Sequence, residues 1–292
     1  VDAAGDTGGQ PVDQRAPVDF LDRLNQAVQL VQAMPRVRFD ACVSENAQLW
    51  IRKKHADGAV HEPATLAAIW AAHEAFAPKT IWDCGALYGY FALFALMALD
   101  DIEEVTAFEV HPGALPSLVA NVTPFARVVH GALSDRCERG VKFWMSGFNM
   151  YEQPAGGWEA LALVPGAMKP RGENNRGRGF LTANFFTLDA YCKAMQAKPD
   201  LIKIDVEAYQ AKAILGALET IRTHRPVIII ELHDPEKIAR MGTTNQATVQ
   251  PLFELGYSGY WCGNFRDKDA TFEQITFVEP RHDKLSLMVF VP

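Results

Sequence analysis

Apolar residues repeat in two rhythms along the 292-residue chain, and the change between them falls near Pro78. Before it, Phe20, Leu21, Leu24, Val28, Leu30 and Val31 recur at helical spacing, which predicts a helix from Val18 to about Ala33. Arg36–Lys54 fits a short strand pair or a helix equally well. Ala64–Phe76 reads as an alanine-rich helix with Pro63 near its first turn. Beyond Pro78, Thr80–Asp83, Glu104–Glu109, Ala126–Ala132, Leu201–Val206 and Val227–Leu232 predict strands. Tyr90–Ala98, Pro112–Asn121, Leu188–Ala197 and Ala208–His224 predict helices between them. Strands alternating with crossover helices imply a parallel, doubly wound sheet. The unbroken run Val227–Ile230 suits a central strand covered on both faces. Gly256–Trp261, Gln274–Val278 and Leu285–Val291 read as strands without a long helix between them, so an antiparallel hairpin should finish the sheet.

Two segments stand apart. Residues 1–16 are polar and rich in Gly, Pro and Asp, which predicts a disordered start to an N-terminal extension over 1–62. The main domain then runs from 63 to 292. Within it, residues 147–183 lack periodicity and carry Gly, Pro, Arg and Asn clusters, with aromatics at Phe148, Tyr151 and Trp158. A stretch of that length reads as an insertion, either a lid or a mobile loop.

Composition changes this picture by exclusion. Hydrophobic residues make up 49% and charged residues 22%, enough for a packed core. A formal charge of −7 with no long basic run weighs against nucleic acid as a partner. The apolar stretch Tyr90–Leu99 is too short to span a bilayer, and no signal peptide is visible. Five scattered cysteines without a CxxC pair argue against a zinc ribbon or a disulfide framework. The expectation is a cytoplasmic protein; oligomeric state stays open, a homodimer included.

The candidate chemistry begins at Ile81–Phe91, IWDCGALYGYF. In a doubly wound sheet the ligand lies at the carboxyl ends of the strands. Asp83 ends the first strand, Gly85 opens the turn, and Gly89 admits close packing of the next helix. Glu109 ends the second strand about twenty residues later, where an acid meets an adenosine ribose. Both a nicotinamide cofactor and S-adenosylmethionine carry that ribose. Asp83 would repel a pyrophosphate but suits a sulfonium and an amino group, and G-x-G-x-x-G is absent. S-adenosylmethionine is favoured; a Rossmann-type dehydrogenase is the competitor.

Here the chain resembles the FkbM family of S-adenosylmethionine-dependent methyltransferases, over roughly His61 to His233. Glu62-Pro63 is similar to the acid and proline ahead of the family's first strand. Asp83-Cys84-Gly85-Ala86-Leu87-Tyr88-Gly89-Tyr90 resembles its glycine turn, and Phe108-Glu109-Val110-His111-Pro112 matches its second strand end in part. Ala132-Leu133-Ser134-Asp135 and the pair Thr187-Leu188-Asp189 with Leu201–Glu207 continue the likeness, as does Ile214–Ala217. Leu87 stands where the family has Asn, Ala208 where it has Gly, and Gln210 where it has Glu. The resemblance implies a class I methyltransferase fold, Rossmann-like, with a mostly parallel seven-stranded sheet. It also implies a cofactor set of Glu62, Asp83, Gly85, Ala86, Gly89, Tyr90, Glu109, Ala132, Ser134 and Asp205.

Methyl transfer to an alcohol needs a route for the acceptor's proton. Asp205 and Glu207 share a side at strand period, as do Glu231 and His233. His233 is the first candidate for base, since imidazole ordinarily titrates near neutral pH; Asp205 could position the hydroxyl, orient His233 or act as base itself, and Glu207 is a further candidate proton acceptor. Asp205, Glu207, Glu231 and His233 could equally hold Mg²⁺ or Mn²⁺. Ser134-Asp135 could meet the adenine amine; His111 and His130 flank the cleft. Trp158 could stack on an acceptor, and Arg171, Arg176 and Arg178 could meet an anionic one. The expected function is O-methylation of a sugar moiety or secondary metabolite, a small-molecule or glycan acceptor. The alternatives are small-molecule N-methylation and a catalytically silent cofactor-binding module.

Overall fold

The computed structural model describes residues 19–34, 54, 60–146, 149–152, 178–278 and 285–292. Helix α1 (Phe20–Ala33) and helix α2 (Pro63–Phe76) precede strand β1 (Thr80–Cys84). There follow α3 (Tyr90–Ala98), β2 (Glu104–Glu109), α4 (Leu115–Val122), β3 (Arg127–His130) and β4 (Ala132–Leu133). Then come β5 (Glu138–Ser146), β6 (Asn149–Glu152), β7 (Arg178–Phe186), α5 (Leu188–Met195), β8 (Leu201–Ile204), α6 (Gln210–Leu215) and α7 (Leu218–His224). The chain closes with β9 (Val227–Leu232), α8 (Pro235–Ala239), α9 (Asn245–Glu254), β10 (Ser258–Cys262), β11 (Glu273–Ile275) and β12 (Ser286–Val291).

The main sheet has eight strands in the order β11-β10-β12-β9-β8-β1-β2-β3, one more than the seven expected, because short β11 pairs with β10 at the edge. Strands β9, β8, β1, β2 and β3 run parallel, while β12 is antiparallel to both its neighbours, β9 and β10. From β1 the order proceeds outward through β2 and β3 on one side and through β8 and β9 on the other. The switch point therefore lies between β1 and β8, where such sheets bind ligands.

Period-2 alternation divides the apolar side chains between two faces. Ile81, Val105, Leu201 and Ile229 pack with α1, α2 and α3 on one side. Trp82, Phe108, Ile202, Ile228 and Ile230 pack with α6, α7 and α9 on the other. Every residue of β9 is buried, as its apolar run requires. Each such side chain contributes about 1.5–3 kcal/mol by leaving water. Helix α1 belongs to this core, with Phe20 edge-on to Phe76 and Tyr260 at 5.5 and 5.3 Å.

Several boundaries differ from the pattern in the sequence. The predicted strand Ala126–Ala132 is interrupted at Gly131, and the chain leaves the main sheet to start β4 in a second one. The predicted helix Ala208–His224 divides into α6 and α7 around Gly216, where a Cβ would come within 2.0 Å of the Ser134 carbonyl oxygen. Helix α4 starts at Leu115, later than Pro112. Helices α8 and α9 were not expected. The described residues of the insertion contribute β6 and β7 to a four-stranded sheet, β4-β7-β5-β6. Its Phe143, Met145, Met150 and Phe185 form a small core with Ala132 and Tyr209. Glu152 anchors this sheet to α6, accepting hydrogen bonds from Arg136 at 2.5 Å, from Tyr209 Oη at 2.8 Å and from Lys212.

Candidate active site

At the carboxyl end of β1 the turn is folded back onto β2, with the N–H groups of Gly85 and Ala86 donating to the Phe108 carbonyl at 2.9 and 3.0 Å. Gly85 has φ +82, and a Cβ there would stand 1.7 Å from the Asp205 carbonyl oxygen. Only glycine lets the ends of β1 and β8 meet this closely. Gly89, at φ +88, does a different job: a Cβ would press within 2.7 Å of Val122, so its bareness seats α3 against α4. The Glu109 carboxylate accepts from Leu87 N–H at 2.7 Å and from His111 N–H at 2.6 Å. Burial pushes Glu109 up to about 7, with those two N–H groups pulling the other way.

Leu87 shows why the family favours Asn at its place. Its φ of 50 is left-handed, a region Asn enters more readily than Leu. The contact this residue makes to Glu109 runs through its backbone, so leucine keeps it. Ala208 likewise stands at φ 80, where glycine would be unstrained.

Across the switch point the register sets Asp83 opposite Lys203. The Lys203 ammonium lies 3.2 Å from Asp83 and 4.0 Å from Asp205, with all three on the floor of the sheet end. Burial opposes the charge on Lys203, but the carboxylates of Asp83, Asp205 and Glu62 raise its pKa well above the usual value. Arg266 makes the second bridge, 3.0 Å from Glu62 and 3.3 Å from Glu231. Burial raises Glu231 strongly, with repulsion from Asp205 and Glu62 adding to it. Four acidic side chains, Glu62, Asp83, Asp205 and Glu231, thus cluster about Lys203 and Arg266, with Lys54 also acting on Glu62. Asp83 is held by the Lys203 ammonium, while Asp205 Oδ1 receives no hydrogen bond among the described residues.

Beyond this ladder, Glu207 departs from strand geometry. Strand β8 ends at Ile204, and Glu207 has φ 51, so the expected period-2 pairing with Asp205 does not apply. The turn instead aims Glu207 at His233 Nε2, 3.3 Å away, and at Lys237. Burial works against its charge, but His233 and Lys237 hold Glu207 down at about 2. His233 Nδ1 lies 2.7 Å from Gln210 Nε2, which also donates to the Glu231 carbonyl at 2.9 Å. Asp205, Glu231 and His233 each place one donor atom within 4.8 Å of the others.

These groups open into one cavity of about 880 Å³. Of the expected cofactor set, Glu62, Gly85, Glu109, Ala132 and Asp205 line it, and so do Glu207, Glu231 and His233. Asp83, Ala86, Gly89, Tyr90 and Ser134 lie behind that surface. Tyr90 packs on His61, which does line the cavity, and Ser134 bonds to Asp135 at 3.1 Å. His111 lines the cavity, while His130 is exposed beside the Val110 carbonyl. Trp158, Arg171, Arg176 and the side chain of Arg178 lie outside the described residues. Arg266 and Tyr209 had no signal in the sequence. Arg266 sits in a loop after β10, and Tyr209 is placed by the turn that carries Glu207 and Ala208.

A doubly wound sheet with an antiparallel edge, a glycine turn at its switch point and a second-strand acid define a class I methyltransferase-like fold. The model of the Methyltransferase FkbM domain matches residues 83–258, more than half of the chain, and the chain belongs to that family of S-adenosylmethionine-dependent methyltransferases. No curated protein matches it. Among solved structures, it is similar to a methyltransferase FkbM from Methylobacillus flagellatus KT at 15% identity and TM-score 0.41, over 84% of this chain and 58% of that one. It is also similar to an O-methyltransferase from Bacillus cereus in complex with SAH, at 14% identity and TM-score 0.35, over 95% and 92% of the two chains. Overlaps of that size do not establish architecture by themselves; the topology and the family match do. The chain spans 58% of the length of the Methylobacillus protein. No helix among the described residues is long and apolar enough to cross a membrane.

Proposed function

We propose that this chain transfers a methyl group from S-adenosylmethionine to an oxygen, a hydroxyl of a sugar moiety or secondary metabolite. The observation that carries the reading is the cluster of acidic side chains at the switch point, beside Glu109. Asp205 lines the cavity with one oxygen that no described residue donates to, and a carboxylate so placed favours a cationic ligand beside it. S-adenosylmethionine supplies an electrophilic methyl on a sulfonium: the acceptor oxygen bonds to that carbon as the C–S bond breaks, its electron pair staying on sulfur. Glu109, fixed by two backbone N–H groups, accepts from a ribose diol. Glu62 and Asp83 contribute the field that favours positive charge, and Gly85 keeps the strand ends close enough to focus it. Asp205, Glu207 and His233 form the set that positions the acceptor hydroxyl and takes its proton.

Mg²⁺ or Mn²⁺ fits this donor set poorly. Arg266 Nη2 stands 3.3 and 3.4 Å from the two Glu231 oxygens, so an ion would have to displace a guanidinium already there. Lys203 and Arg266 already stand against the carboxylates that such an ion would bind. The partner is a small-molecule or glycan acceptor. The free thiols of Cys84, Cys137, Cys192 and Cys262 support a reducing, cytoplasmic setting.

The test is transfer of labelled methyl from S-adenosylmethionine to a panel of glycosides, polyhydroxylated metabolites and amines, with and without EDTA. Label on an acceptor oxygen, unaffected by EDTA, is expected. Label on amines alone, or only with added Mg²⁺, would overturn the reading.

A further inference from the structure

We propose that Gln210 locks His233 as a hydrogen-bond donor, so that Asp205 and not His233 receives the proton of the acceptor hydroxyl. The inference rests on the methyltransferase reading for its chemistry, and on hydrogen bonds alone for the tautomer. Gln210 is buried, and its amide is oriented by the Glu231 carbonyl 2.9 Å away. A carbonyl only accepts, so the Gln210 atom facing it is the nitrogen. The same nitrogen is 2.7 Å from His233 Nδ1, and its second hydrogen points there. Nδ1 is then an acceptor and carries no proton. The ring's one hydrogen sits on Nε2, where Glu207 accepts it at 3.3 Å. Both ring nitrogens are engaged, and His233 presents no lone pair to the cavity.

The alternative amide orientation loses the contact to the Glu231 carbonyl. It would set Oε1 against the Glu231 carbonyl, two acceptors face to face in a buried site. The orphan left by the observed orientation, Gln210 Oε1, is the smaller loss. With His233 committed, the acceptor left at the cavity is the Asp205 carboxylate, whose Oδ1 receives no hydrogen bond from the described residues. In the transfer the acceptor's O–H proton passes to that carboxylate as the oxygen–carbon bond forms and the carbon–sulfur bond breaks. His233 and Gln210 are positioning residues: through Nε2–H they hold Glu207, which Lys237 also holds, at the rim of the cavity.

The residue type at 210 is therefore a switch. A carboxylate there would accept Nδ1–H, turn the tautomer over and free Nε2 as a base. Gln210→Glu should make that conversion.

The decisive measurement is a long-range ¹H–¹⁵N correlation spectrum of the histidine rings in the full chain at neutral pH. His233 is assigned by its loss in His233→Gln, or by its shift in Gln210→Met where the first variant does not fold. The Nε2–H pattern is expected; an Nδ1–H pattern overturns the inference whatever the activity. In turnover assays Asp205→Asn should cost about 10²-fold, but tenfold or less in a Gln210→Glu background. Equal losses in both backgrounds would overturn the role of Asp205. Failure to find any methyl transfer would sink the reading of function and leave the ring spectrum to judge the tautomer.

Discussion

The two walls of the cavity are built by different means. On the β1–β2 side, the site is backbone geometry: a glycine at φ +82, a folded turn, and a carboxylate held by two N–H groups. On the β8–β9 side, it is side chains brought from far apart, with Arg266 reaching Glu62 across 204 residues. The first wall depends on what a residue lacks or how its φ is set, and the second on what each side chain touches. Substitutions on the two walls should therefore fail differently, the first by losing the fold of the turn and the second by losing chemistry.

The largest expected effect is on the backbone wall. Gly85→Ala forces a Cβ onto the Asp205 carbonyl and should destabilise the chain by about 3 kcal/mol or more, measured by denaturant unfolding. A near-neutral change would show that the strand ends have room to part. Next is Glu109→Gln, which removes charge-assisted acceptance of a diol and should weaken S-adenosylmethionine roughly 10- to 100-fold by calorimetry. Affinity unchanged by that variant would remove Glu109 from the ribose site.

The pH dependence follows from the same residue. Glu109 keeps its proton up to about 7 in the fold, against an ordinary value of 4.5. Across that window the native chain binds more protons than the unfolded one, so this group's contribution to stability falls as pH rises. Binding runs the other way: a ribose diol donates to the ionised carboxylate, so cofactor affinity should rise with pH and level off above about 7. Affinity flat from pH 5.5 to 8 would contradict this.

The smallest effects test the departures from the family pattern. Leu87→Asn and Ala208→Gly relieve left-handed strain at φ 50 and φ 80, and each should stabilise the ligand-free chain by about 0.5–1 kcal/mol. A loss of stability at either position would show that side-chain packing outweighs backbone strain there.

How far the sequence foretold this site follows the same division. Asp83, Gly85 and Glu109 were legible because a turn between adjacent parallel strands is local: residue type and spacing suffice. The alternation of apolar runs likewise yielded the strands of the main sheet from Thr80 to Leu232, and the antiparallel close. Arg266 was invisible because its partners are set by tertiary packing alone. Glu207 was assigned the strand rhythm of Asp205, and the left-handed turn after Ile204 broke it. Gln210 read as a mere departure from pattern; its meaning appeared only beside the Glu231 carbonyl and His233. The second sheet was missed because β6 and β7 flank a long stretch with no periodicity between them.

The central claim is that the switch point between β1 and β8 takes an adenosine cofactor with a sulfonium and not a pyrophosphate. Thermal unfolding of the purified chain with S-adenosylmethionine, S-adenosylhomocysteine or NAD tests it most directly. Both sulfur compounds should raise the midpoint, by mass action on the folded state, and NAD should leave it unchanged. Stabilisation by NAD, with none from either sulfur compound, would contradict the account.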